Sequence, residues 1–186
     1  MNQNVWTLSQ VSRILNVAQH RLIYLCEKEV IAPDFGSGKG RGSSRGFSAR
    51  NILEFAVALE LRHFMIPIGP IRPIIYVLRA FGKILEQQVP DFSMVSSFRR
   101  KQGPDLRIII SDGERLYFLL GHATKEAKLF GGIDFKQLLA KRGRINVVAL
   151  PISGKTTRGW SGYEGTKHAR IEINVTAIAR DLSLKA

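Results

Sequence analysis

"WTLSQVSRILNVAQHRLIYLCEKEVIAP", Trp6 to Pro33, holds two apolar-periodic runs on either side of a short break at Asn16. In the first run Leu8, Val11, Ile14 and Leu15 recur at the spacing that gathers side chains on one helix face. Thr7 stands just before that run and Gln10 three residues after Thr7. This is a capping box: the Thr7 hydroxyl takes an orphan N–H of the first turn while Gln10 reaches back. The helix is expected to stop near Asn16, a residue that tolerates the left-handed conformation of a tight turn. A second helix is predicted over residues 18–29, with Leu22, Tyr24, Leu25 and Cys26 available for burial. Two short helices across a tight turn make a helix-turn-helix unit.

Immediately downstream lies "GSGKGRGSSRG", Gly36 to Gly46, with five glycines, three basic residues and no acid. Such a loop either cradles a nucleotide phosphate or lies as a cationic ribbon along a nucleic-acid backbone. The phosphate cradle needs a buried strand feeding the loop. The feeding segment here, "EKEVIAPDF", is short and broken by Pro33. The loop therefore reads as a wing, a β-ribbon whose tip follows phosphates. Ser48 is the expected N-cap of a third helix carrying Ile52, Phe55, Ala56 and Leu59. "MIPIGP" breaks it, and "IRPIIYVLRAFGKIL" repeats apolar residues at helical spacing as a fourth.

These residues resemble the MerR-type winged helix-turn-helix regulators, without a gap from Trp6 to Pro33. Trp6, Thr7, Leu8, Val17, Leu22, Tyr24, Glu27, Val30, Ile31 and Pro33 fit the family pattern, and Arg45-Gly46-Phe47-Ser48 fits its wing exit. The resemblance covers about residues 5–85 and implies a winged helix-turn-helix fold and sequence-specific DNA binding. Ala18 stands where the family has a Ser or Thr cap, and Ile23 where it has Arg. The groove contacts are expected to shift toward His20 and Arg21. The family's long dimerisation helix and its metal-binding cysteines have no counterpart after residue 85. Promoter untwisting and metal sensing are therefore not expected.

The whole chain of 186 residues carries 28 Lys and Arg against 15 Asp and Glu, a net charge of +13. That surplus points to a polyanionic partner, because each phosphate neutralised releases condensed counterions. The single cysteine, Cys26, excludes an internal disulfide and a cysteine-cluster metal site, and is expected to pack as a small apolar residue. No apolar run reaches the roughly 18 residues of a membrane span, and "MNQNVWTLSQ" lacks the layout of a signal peptide. A cytoplasmic protein that meets no membrane is the expectation.

Gln19, His20 and Arg21 fall at the end of the second helix that enters a major groove in this motif. Arg21 suits guanine O6 and N7, and Gln19 suits adenine N6 and N7. A plain solvated face would carry the same residues. Tyr24 suits either a phosphate or the core. Lys39, Arg41 and Arg45 are wing-to-phosphate candidates, contacts that position without reading sequence. Arg62, near the end of the third helix, is another.

A competing motif, "ALPISGKTT", fits a nucleotide-binding pattern through Gly154, Lys155 and Thr156. The chemistry requires those residues to open a helix. The adjoining stretch, "TRGWSGYEG", is too glycine-rich for one. A nucleotide-binding enzyme is kept as the alternative of a different class.

The remaining chain reads as a connector over 89–104 and an α+β module over 105–186, after a DNA-binding domain over 1–88. "DLRIIISDGERLYFLLG" is a hairpin signal around Asp112-Gly113. "DFKQLLAKRG" is expected as a helix, "RINVVALP" and "ARIEINV" as strands, and "TAIARDLSLK" as a helix capped by Asn174 or Thr176. Residues 91–186 hold 17 basic and 9 acidic residues, a net charge of +8. His122 and His168 lack spaced ligand partners and read as structural or surface residues. Trp160 and Tyr163 suit either loop anchoring or a ligand contact. No catalytic constellation, cofactor or metal site is expected. The expectation is an α+β chain: a mostly helical winged helix-turn-helix part, then a small α+β domain for dimerisation or effector sensing. It is expected to be a transcriptional regulator, acting as a homodimer on two-fold operators. An excisionase-like or architectural DNA-bending factor shares the winged fold and is the runner-up, ahead of the nucleotide-binding enzyme.

Overall fold

The computed structural model describes residues 4–36, 45–88, 94–99, 105–111, 115–122, 125–134 and 170–182. Helix α1 (Leu8–Leu15) begins with the expected capping box: Gln10 N–H donates to Thr7 Oγ1 at 3.3 Å, and Thr7 N–H donates to Gln10 Oε1 at 2.7 Å. It ends at Asn16, which takes φ 50° and ψ 47°, the left-handed conformation that asparagine tolerates. Ser12 Oγ donates to the Val17 carbonyl at 2.6 Å and fixes the turn. Helix α2 (Gln19–Glu27) comes next in the chain. Its N-cap is Ala18, which supplies no side-chain cap.

Ser48 caps helix α3 (Ala49–His63) through a second capping box with Asn51. The chain turns at Met65, φ 60°, and continues as α4 (Ile68–Gln88), three residues longer at each end than its periodic sequence. The connector expected over 89–104 contains a short helix, α5 (Met94–Arg99). Met94 is buried against Gly82 of α4, where an added Cβ would meet the Met94 side chain at 2.3 Å. The proline-bracketed polarity of the segment hides this anchor from the sequence.

Strands β1 (Asp105–Ser111), β2 (Arg115–His122), β3 (Lys125–Asp134) and β4 (Arg170–Asn174) form a four-stranded sheet in the order β3-β2-β1-β4. All three pairings are antiparallel. The β1–β2 hairpin forms about the expected Asp112-Gly113, with Ser111 paired to Arg115 at its close. The sequence reading does not anticipate β3; "KEAKLFGGID" combines charges and glycines without clean alternation. Helix α6 (Val175–Asp181) leaves β4 directly, capped by Asn174, whose Oδ1 accepts from Ala177 N–H at 2.8 Å. Thr176, the other expected cap, is buried and accepts from Leu106 N–H at 2.7 Å, fastening α6 to β1.

The architecture is α+β. Alternate residues of the sheet, Leu106, Ile108, Ile110, Leu116, Phe118 and Ile173, point into the same hydrophobic core as Leu22, Phe55, Leu61 and Ile74 of the helices. Phe81 of α4 meets Phe118 of β2 with ring centroids 5.2 Å apart. Among the described residues, no helix is long and apolar enough to cross a membrane. The expected helix after Asp134, the expected strand "RINVVALP", and Gly154, Lys155, Thr156, Trp160, Tyr163 and His168 lie outside the described residues.

Candidate nucleic-acid interface

Helix α2 is anchored along one side only. Leu22 and Leu25 are fully buried and Cys26 half-buried, while Gln19, His20, Arg21, Ile23, Tyr24, Glu27 and Lys28 are exposed. At 3.6 residues per turn, that pattern turns His20, Tyr24 and Glu27 directly away from the core, with Ile23 beside them. Tyr24, which the sequence leaves between core and phosphate, is therefore a surface residue. It is 45% exposed, and the Lys28 ammonium stands 5.6 Å from its ring centroid. The reason is phase: Leu22 and Leu25 occupy the buried stripe, and Tyr24 falls outside it.

The glycine-rich loop leaves and re-enters the fold through a built base. Phe35 and Gly46 exchange both backbone hydrogen bonds, at 3.1 and 2.9 Å. Trp6 and Phe47 do the same at 2.9 Å each, so the chain start lies alongside the returning limb. Gly46 is required there by close approach. A Cβ on it would stand 2.5 Å from Val5 Cγ1 and 2.9 Å from Phe35 Cβ. Arg45, at the loop exit, is exposed and lies near enough to α2 for its charge to act on the Cys26 thiol. Lys39 and Arg41 lie outside the described residues. Arg62 is exposed at the end of α3, and its Nη1 donates to the Ile66 carbonyl at 2.9 Å, closing the α3–α4 turn.

Behind the loop base sits a polar network that sequence reasoning misses. Asn51 Oδ1 accepts from Asp34 N–H at 3.0 Å and Ser48 N–H at 3.2 Å, so one side chain ties both limbs. Its Nδ2 donates to the Ala32 carbonyl and to Glu54 Oε2, each at 3.1 Å. Glu54 is 1% exposed and paired with Arg79 of α4, whose Nε donates to Oε1 at 2.7 Å and whose Nη2 donates to Oε2. Arg79 Nη2 also donates to the Ala32 carbonyl at 3.2 Å. The bond to Glu54 holds Arg79 above its ordinary pKa despite burial. Burial alone would raise the Asp34 carboxyl. The bonds from Ser48 and Arg50, with the charges of Arg50 and Arg79, hold it below its usual 3.8. The signal in the sequence is Glu54 itself, an acid inside an apolar run; nothing marks Arg79 as its partner.

No protein-family model matches the chain, and no curated protein matches it. Chemically, the geometry offers a set of hydrogen-bond donors on and beside α2. Gln19, His20 and Arg21 present hydrogen-bond donors at one helix end, and Arg45 adds a positive charge beside that helix. Among the described residues, no group of three or more His, Cys, Asp or Glu side chains is placed to hold a metal ion.

Proposed function

We propose that the protein is a sequence-specific, duplex-DNA-binding transcriptional regulator, with residues 5–85 acting as a winged helix-turn-helix of MerR-like type. One observation carries the reading: Gln19, His20 and Arg21 all face outward at the N-terminal end of a helix whose other side is locked into the core. That is the geometry in which a recognition helix presents its first turn to base edges. The antiparallel base of the loop supports a wing leaving beside α2, with Arg45 and the basic residues beyond it on phosphates. The net charge of +13 supplies the sequence-independent part of the affinity. Residues 105–186 would serve dimerisation or effector sensing, and a homodimer would match a two-fold operator.

The test is selection of duplexes from random DNA with the full chain, then competition binding. A regulator recovers a defined site bound at least about 1,000-fold more tightly than unrelated duplex at physiological salt. Arg21→Ala weakens that site by about 1–3 kcal/mol and relaxes the preference at one base pair. Equal affinity for every duplex, lost uniformly with salt, overturns the reading and favours an architectural factor.

A further inference from the structure

We infer that Ile23 is a specificity-determining residue that reads the C5-methyl group of a thymine in the major groove. The inference rests on the reading of α2 as a recognition helix. It deepens that reading by naming a base contact that none of the polar residues of the helix supplies.

Ile23 is 37% exposed and belongs neither to the buried core nor to the hydrophobic residues packed against it. It lies one helical turn beyond Gln19, about 6 Å along the axis, on the same side of the helix. Its neighbours on that surface are Gln19, Tyr24 and Glu27, all exposed. A solvent-facing helix side needs no aliphatic residue there, and Leu22 and Leu25 already complete the buried stripe. The major groove offers one apolar group, the thymine methyl, beside the hydrogen-bonding atoms that Gln19 and Arg21 suit. Arg21 and Lys28 lie on the flank of the helix away from Ile23, with Arg45 near Cys26, and suit phosphates beside a groove rather than an apolar protein surface. An aliphatic side chain beside the Gln19 amide, on a helix whose other exposed flank is cationic, fits duplex DNA better than another protein.

The experiment uses the full chain and the duplex recovered by selection, with each thymine of a half-site replaced singly by deoxyuridine. That exchange removes a methyl group and leaves every hydrogen-bonding atom in place. The expected result is a loss of about fourfold in affinity at one position, the fold-change for one methyl-sized group returned to water. In Ile23→Ala the thymine and deoxyuridine duplexes bind alike at that position, while Ile23→Val keeps part of the difference. Because Ile23 lies outside the core, Ile23→Ala is expected to keep the thermal midpoint of the wild-type chain. If deoxyuridine has no effect at any position, or its effect persists in Ile23→Ala, the inference falls and the reading of α2 stands. If selection recovers no preferred duplex, both fall together.

Discussion

Cys26 shows how closely α2 and the loop base are joined. Burial pushes its thiol up to about 11, while the Arg45 charge pulls the value down and Glu27 adds to the rise. The thiolate is the reactive form. The folded chain should therefore alkylate slowly with iodoacetamide at pH 8, and its rate should climb as the pH approaches 11. The urea-unfolded chain should instead follow the ordinary value of 9.0. The linkage has a definite sign. Between 9 and 11 the unfolded chain gives up its proton first, so this group's contribution to stability falls as pH rises through that window. Cys26→Ala removes that component of the decline, and denaturant midpoints measured from pH 8 to 11 check it. A folded-state alkylation rate with an apparent pKa near 9 would mean that Cys26 is open to solvent.

Among the elements, α1 to α4 were legible because each carries apolar residues at helical spacing and three residues with a mechanical role, Thr7, Asn16 and Ser48, mark where helices start or stop. The β1–β2 hairpin was legible because its two apolar runs flank Asp112-Gly113. The missed elements lack such marks. Helix α5 depends on Met94 finding Gly82, and β3 on pairing with β2; both are tertiary events with no local period. The Glu54–Arg79 pair is of the same kind, an ion pair between residues 25 apart that joins α3 to α4 and to the loop base. Arg79→Ala would leave the Glu54 carboxylate buried without its cation. It should destabilise the fold by about 3 kcal/mol, the low end for a broken buried pair, since Arg79 is itself 23% exposed. Replacing both residues, Glu54→Leu with Arg79→Leu, should recover most of that loss, because the stranded charge is gone. Urea unfolding at unchanged slope measures both variants. A single variant as stable as wild type would show that the pair does not hold α4 to the loop base.

For the molecule as a whole, a single buried set of side chains joins helices and sheet, so the outward face of α2 is carried on a core that reaches Phe118 and Val175. This explains the uneven legibility of the candidate site. The polar residues Gln19, His20 and Arg21 could be named from the motif alone, but Ile23 emerged only once the buried stripe was fixed by packing. Lys39 and Arg41 were named on charge, and their part is best tested through charge. If the loop and its exit follow the DNA backbone, each phosphate contact contributes about 0.9 to the slope of log affinity against log salt. Arg45→Ala should then weaken every duplex to a similar degree and make that slope shallower by about 0.9, as should Arg41→Ala. Ile23→Ala should leave the slope unchanged, because it removes an apolar contact and no charge. Titrations of one selected duplex between about 50 and 200 mM salt, a range over which several phosphate contacts change affinity by orders of magnitude, resolve a difference of that size. An Arg45→Ala slope equal to wild type would place the exit of the loop away from the backbone and leave α2 to bind without its ribbon.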